Sequence, residues 1–133
     1  MTVRLARSVF LSIGVAIVLA ACSTPSANLN VVMTDFAFSP ATYSVVPGTE
    51  VTLTLTNSGA VVHNWVLMRP GSTVTTPFNE DDEPNVIWRG RVEAGETQTF
   101  TFTAPEVAGE YPVVCSELGH HEAGMVGRFN VTP

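Results

Sequence analysis

Beyond residue 28 the sequence predicts an all-β domain, an antiparallel Greek-key sandwich or barrel of about seven to eight short strands. Three observations carry that expectation. Val51-Thr52-Leu53-Thr54-Leu55-Thr56 alternates strictly between apolar and hydroxyl side chains, and Thr97–Thr103 does the same around Phe100 and Phe102. A period of two suits a strand with one buried face and threonines toward water. Turn signals separate the candidate strands, and no long helical period follows the N-terminal segment.

Taken in order, the first twenty-one residues stand apart. Arg4 and Arg7 precede an apolar run from Val9 to Ala21 that ends Leu19-Ala20-Ala21-Cys22. The run is shorter than the about 20 apolar residues a membrane-crossing helix needs, and it suits the core of a signal peptide. An uncleaved anchor helix is the alternative. Leu-Ala-Ala-Cys resembles the bacterial lipobox, which implies cleavage before Cys22 and a diacylglycerol on its sulfur. Residues 1–21 are therefore expected to be a lipoprotein signal peptide and residues 22–28 a flexible tether of small polar residues and Pro25. Residues 29–133 are the expected folded domain. In this reading the protein is exported and held by a lipid on the extracytoplasmic side of a bacterial membrane, facing the periplasm.

Candidate strands then run over Leu29–Thr34, Tyr43–Val46, Val51–Thr56, Val61–Met68, Val86–Val92, Thr97–Thr103, Gly109–Cys115 and Met125–Val131. Between them lie Ser39-Pro40, Pro47-Gly48, Asn57-Ser58-Gly59, Pro70-Gly71, Ala94-Gly95 and Ala108-Gly109. The segment from Ser72 to Asn85 breaks the spacing with Pro77, Pro84 and the run Glu80-Asp81-Asp82-Glu83. Clustered like charges resist joint burial, so this reads as a solvated loop or a short irregular excursion. Calcium is a conceivable ligand there, although no ordered ligand spacing supports it.

The chain has 133 residues, 45% hydrophobic and 14% charged, room for one core rather than two. After removal of the signal, Arg69, Arg89, Arg91 and Arg128 oppose all twelve acids, a net charge of 4 − 12 = −8 with neutral histidines and no lysine. Phosphate backbones would repel such a surface, which excludes nucleic acid as a partner. Adhesion to anionic lipid is excluded likewise, leaving the acyl chain as the membrane link. Negative charge steers the domain toward basic partner surfaces instead.

The two cysteines are Cys22 and Cys115. A disulfide is the ordinary expectation for an exported protein, but a lipidated Cys22 has no thiol to offer. Cys115 then stands alone in an oxidising compartment and invites a functional explanation. It opens the segment Cys115-Ser116-Glu117-Leu118-Gly119-His120-His121-Glu122-Ala123-Gly124-Met125, with His63 in an upstream strand. Two imidazoles, one thiolate and a weak thioether are the donor set of a blue-copper electron-transfer site. Thiolate and thioether favour Cu(I) while imidazole serves Cu(II), so a mixed set suits both oxidation states. Taken singly, Cys115 reads as an apolar filler, His63 as a core histidine and Met125 as packing. Those readings do not predict three donor types on one loop.

Here the sequence resembles the cupredoxins, most closely those of the auracyanin and azurin type. The resemblance covers nearly the whole mature chain. It is carried by Asp35-Phe36-Ala37-Phe38-Ser39-Pro40, His63-Asn64-Trp65-Val66-Leu67, Thr97–Ala104 and the Cys115, His120, Met125 loop. The resemblance implies one type 1 copper ion held equatorially by His63, Cys115 and His120 and axially by Met125. Asn64 corresponds to the position that hydrogen-bonds between the two ligand loops. His121 competes with His120 by adjacency, but the Gly119-His120 step matches the family, so His121 is expected to face solvent. Leu118 replaces a proline common before that step, and Glu117 and Glu122 put charge on a rim that is often apolar. Trp65 and Trp88 are expected in the core.

The function expected from this resemblance is one-electron transport, not enzymatic catalysis, by a monomer. Redox proteins such as a membrane cytochrome complex, a photosynthetic reaction centre or a terminal oxidase are the expected partners. They would meet an apolar patch around Leu118 and Ala123. An extracytoplasmic copper-binding or delivery protein is the alternative.

Overall fold

In the computed structural model, residues 24–133 form nine strands in two stacked sheets. The strands are β1 Ser26–Thr34, β2 Ala37–Ser39, β3 Thr42–Val45, β4 Glu50–Asn57, β5 His63–Met68, β6 Val86–Val92, β7 Thr97–Thr103, β8 Gly109–Val114 and β9 Val126–Val131. One sheet has the order β2-β1-β4-β7 and the other β3-β9-β8-β5-β6. This is the Greek-key β-sandwich expected, with one strand more because β2 pairs with β1 over only three residues. Residues 1–21, Cys22 and Ser23 lie outside the described residues, and so do the expected signal peptide, lipid site and start of the tether.

The sheets are not wholly antiparallel. β1 runs parallel to β4, and β3 parallel to β9. Alternation along a strand reports which face is buried, not which way its neighbour runs, so the local pattern could not separate the two cases. The first strand also begins earlier than Leu29. Ser26, Ala27 and Asn28 pair with Glu50, Val51 and Thr52, so three of the seven residues of the expected tether belong to the sheet.

Alternating residues fill the space between the sheets. Val51, Leu53 and Leu55 of β4 are fully buried, and their threonine neighbours look outward. Thr54 and Thr99 share a hydroxyl hydrogen bond of 3.0 Å across β4 and β7. Trp65 packs at the centre against Tyr43, Trp88, Phe102 and Phe129, with ring centroids 5.7–6.1 Å apart. Both tryptophans therefore belong to the core cluster, Trp65 fully buried and Trp88 partly.

β5 differs from every other strand because all six of its residues are buried. Its inner face joins the main core, while Val66 and Met68 turn outward against Val74, Phe78 and Val86. The irregular segment between β5 and β6 thus covers the outer face of the strand that begins with His63. Asp82 anchors that cover and is 1% exposed, which corrects the expectation that the whole acidic run is solvated. Its carboxylate accepts hydrogen bonds from the Thr75 hydroxyl at 2.5 Å and from the Thr75 and Asn79 amides at 2.9 Å each. Three donors make a buried carboxylate tolerable without a counter-charge. Glu80, Asp81 and Glu83 stay at the surface, where Glu83 pairs with Arg89 at 2.9 Å.

Candidate metal centre

Strand register brings the expected ligands to one end of the sandwich. β5 and β8 are antiparallel with Val66 opposite Val114, which carries Cys115 alongside the start of β5. β8 and β9 pair with Val114 opposite Val126, so Met125 arrives across from Cys115. The Cys115 amide donates to the Met125 carbonyl at 3.1 Å, and the Met125 amide donates to the His120 carbonyl at 3.0 Å. The eleven-residue connection, Cys115 to Met125, closes as a chain of tight turns, with Gly119 at φ 83° and Gly124 at φ 92°. Only glycine adopts those angles without steric cost, so the two glycines bracket and shape the turn that presents His120.

The donor atoms face one another. His63 Nδ1 lies 3.1 Å from His120 Nδ1, and Cys115 Sγ lies 3.3 Å from His120 Nδ1. His63 and Cys115 are fully buried, His120 is 8% exposed, and Met125 is fully buried beside them. His63, Cys115 and His120 are the cluster among the described residues that is able to hold a metal ion. Burial pushes the Cys115 thiol up, opposed by the Asn64 amide, which points at the sulfur from 3.5 Å. Burial, and then the proximity of His63, push His120 down, which favours the neutral imidazole a metal binds. Binding a metal here therefore displaces a thiol proton. One soft sulfur and two imidazole nitrogens aimed at a common point fit a single copper ion of type 1.

Asn64 ties the segments that carry His63 and Cys115 together, as the family resemblance implied. Its Oδ1 accepts from the Ser116 amide at 2.7 Å and the Ser116 hydroxyl at 3.1 Å, and its Nδ2 donates to Glu117 Oε1 at 3.0 Å. Glu117 also meets Arg91 Nε at 3.5 Å, so its charge is partly matched. Glu122 is exposed, as are Leu118 and Ala123. His121 does not join the cluster. It is half-buried rather than solvent-facing, with a buried Nδ1 that has no partner among the described residues, and it lies near Asp82.

Two residues at the centre carried no expected role. Phe36, 42% exposed, lies 4.7 Å from the His120 ring, centroid to centroid. Asp35 holds the other side of His63, with Oδ1 2.7 Å from His63 Nε2 and Oδ2 accepting the Ala60 amide at 2.9 Å. The Ala60 amide first, and His63 second, hold the Asp35 carboxyl below its ordinary range. Both lie in the turn between β1 and β2. The available signal was an acid and an aromatic ring side by side where the alternation of β1 stops.

Comparison with known proteins agrees with this geometry. Residues 25–132 match the profile of the copper-binding proteins of the plastocyanin/azurin family. The chain is 34% identical over 113 residues to auracyanin-B of Chloroflexus aurantiacus, covering 73% of this chain and 48% of that protein. It is 32% identical over 115 residues to the copper-resistant cuproprotein CopI of Rubrivivax gelatinosus, covering 78% of this chain and 66% of that protein. The chain thus spans about half the length of auracyanin-B. A solved structure of auracyanin B superposes with a TM-score of 0.69 at 31% identity, covering 85% of this chain and 94% of that one. Among the described residues no helix is long and apolar enough to cross a membrane.

Proposed function

Because the chain belongs to the plastocyanin/azurin family of copper-binding proteins, we propose that it is a one-electron carrier rather than an enzyme. Its copper ligands in this reading are His63, Cys115 and His120, with Met125 as the weak axial donor. The observation that carries the reading is the approach of His120 Nδ1 to within 3.1 Å of His63 Nδ1 and 3.3 Å of Cys115 Sγ, with all three residues buried. Copper supplies the Cu(II)/Cu(I) couple; the chain supplies the arrangement. Asn64 and the Met125 carbonyl hold the cysteine loop, and the packed β5 holds His63, so the donors are fixed by the fold before any metal arrives. Donors that need not rearrange between oxidation states keep the reorganisation barrier low.

His120 is the least buried of the four donors, exposed Phe36 lies against its ring, and exposed Leu118 precedes it by two residues. A redox partner docking on this apolar rim comes closest to the centre at that ring. The membrane reading agrees with the placement of the first strand. Ser26 and Thr34 lie at opposite ends of β1, roughly 26 Å apart at strand rise, and Thr34 is the end next to Asp35 and His63. A lipid on Cys22 would hold the domain by the pole remote from the metal, leaving the His120 rim free for membrane-associated partners.

The test is the visible spectrum of the copper-loaded protein. An intense thiolate-to-copper absorption that Cys115→Ser abolishes supports the proposal, and unchanged colour in that variant defeats it. Likeness to CopI, named a copper-resistant cuproprotein, favours a second reading in which the chain binds or delivers copper. Rapid transfer of copper to a competing chelator, without reversible one-electron cycling, would select that reading.

A further inference from the structure

We propose that Asp35 is a positioning residue for the metal centre: its carboxylate orients the His63 ring, presents Nδ1 to the metal and lowers the reduction potential. The inference rests on the reading of His63 as a copper ligand. A carboxylate only accepts, so at 2.7 Å from Asp35 Oδ1 the nitrogen that carries hydrogen is His63 Nε2. In the neutral imidazole that a metal binds, the lone pair then belongs to Nδ1, the nitrogen that faces His120 across 3.1 Å. A ring-orienting acceptor of this kind fixes the tautomer and raises the basicity of the ligand.

The surroundings are built around this contact. Asp35 uses both oxygens, Oδ1 toward His63 and Oδ2 toward the Ala60 amide at 2.9 Å. Both partners are donors, so asparagine, with one acceptor oxygen and one amide, satisfies one and opposes the other. The turn that supplies the Ala60 amide is itself held. Buried Asn57 accepts from the Gly59 amide at 2.9 Å and donates to the Val61 and Val92 carbonyls at 2.8 and 3.0 Å. A Cβ at Gly59 would overlap Asp35 Oδ1 and come within 2.7 Å of His63 Nε2. Gly59 has no positive φ, so its missing side chain serves space rather than backbone conformation.

The electrostatic sign follows directly. The His63 side chain is fully buried while that of Asp35 is 32% exposed, which places a partly screened negative charge against the outer edge of the ligand ring. Negative charge and a more basic imidazole both favour the more highly charged cupric state. A residue that merely staples the turn between β1 and β2 would leave the potential unmoved.

The experiment compares the full chain with Asp35→Asn and Gly59→Ala, each loaded with copper, by visible and paramagnetic-resonance spectra, cupric affinity and redox titration. In Asp35→Asn the thiolate band should persist while cupric affinity falls about 10–100-fold. Its potential should rise by about 59 mV, which is a tenfold shift in the cupric-to-cuprous ratio for one electron. Gly59→Ala keeps the charge but separates carboxylate from ring, so it should shift the potential the same way and alter the nitrogen hyperfine pattern. Parent potential and hyperfine pattern in both variants, with copper bound and the thiolate band present, would overturn the role of Asp35 alone. If Asp35→Asn does not fold, Gly59→Ala decides by the same two readings. Absence of copper and of the thiolate band from the unaltered chain would overturn the copper reading and this inference with it.

Discussion

Asn64 Oδ1 receives both the amide and the hydroxyl of Ser116, at 2.7 and 3.1 Å, across a sequence separation of 52 residues. The residue after the first histidine thereby clamps the residue after the cysteine. Asn64 is itself 3% exposed and Ser116 half-buried, so solvent makes good the loss of the clamp only in part. Asn64→Leu removes the acceptor and strands the Ser116 amide. It should cost about 1–3 kcal/mol of stability in the metal-free protein. Denaturant unfolding measures this, and a midpoint equal to that of the parent would show that the clamp does not matter.

Met125 sits where β9 begins, with its amide on the His120 carbonyl and its carbonyl on the Cys115 amide. Both bonds are made by backbone, so Met125→Leu preserves them and exchanges only the thioether for a similar volume of hydrocarbon. With a weak axial donor removed and three strong donors kept, copper should stay and the reduction potential should rise. Voltammetry of the loaded variant checks this. Complete loss of copper would mean that Met125 does more than tune the site.

Asp82 provides a test of acid stability away from the ligands. Burial pushes its carboxyl up, but the Thr75 hydroxyl and the Asn79 and Thr75 amides outweigh this, and the net effect lies below the ordinary value of 3.8. A carboxyl depressed on folding contributes stability that is present above the unfolded value and is lost as pH falls through the folded one. The cover over Val66 and Met68 should therefore loosen in acid below about pH 4. Hydrogen exchange of the Thr75 and Asn79 amides between pH 3 and 7 would report it. In Asp82→Asn the acid-dependent step should vanish, with the cover weakened by about 1–3 kcal/mol at neutral pH. An identical acid profile in the variant would remove Asp82 as the cause.

Membrane attachment is tested chemically. Protein extracted from the host membrane should carry a diacylglyceryl group on Cys22, and Cys22→Ala should release the domain in soluble form. An intact Met1 on mass spectrometry of the membrane-bound protein would overturn cleavage and lipidation together.

Much of the domain was legible before folding because strands write their burial locally. Val86–Val92 and Thr97–Thr103 agree with β6 and β7 to the residue, since each alternates or ends at a turn signal. The candidate donor loop stood out for a different reason. Cys115, His120 and Met125 are rare donor types within eleven residues, and their spacing is a property of the chain. Asp82 was misjudged because its own loop folds back over it through Thr75, and no local signal marks His121 as half-buried.

Chain order by itself decided that this protein is a small β-sandwich with sulfur and imidazole donors near its last strand. Side-chain period and donor identity are one-dimensional quantities, readable without coordinates. Which strands run parallel, how β5 comes to be buried on both faces, and which acid grips the first histidine were decided only in three dimensions. Asp35 meets His63 across 28 residues because the turn after β1 and the start of β5 reach the same pole of the sandwich. Hydrogen bonds of that kind depend on distances under 3 Å between elements brought together by core packing, and no periodicity along the chain encodes them.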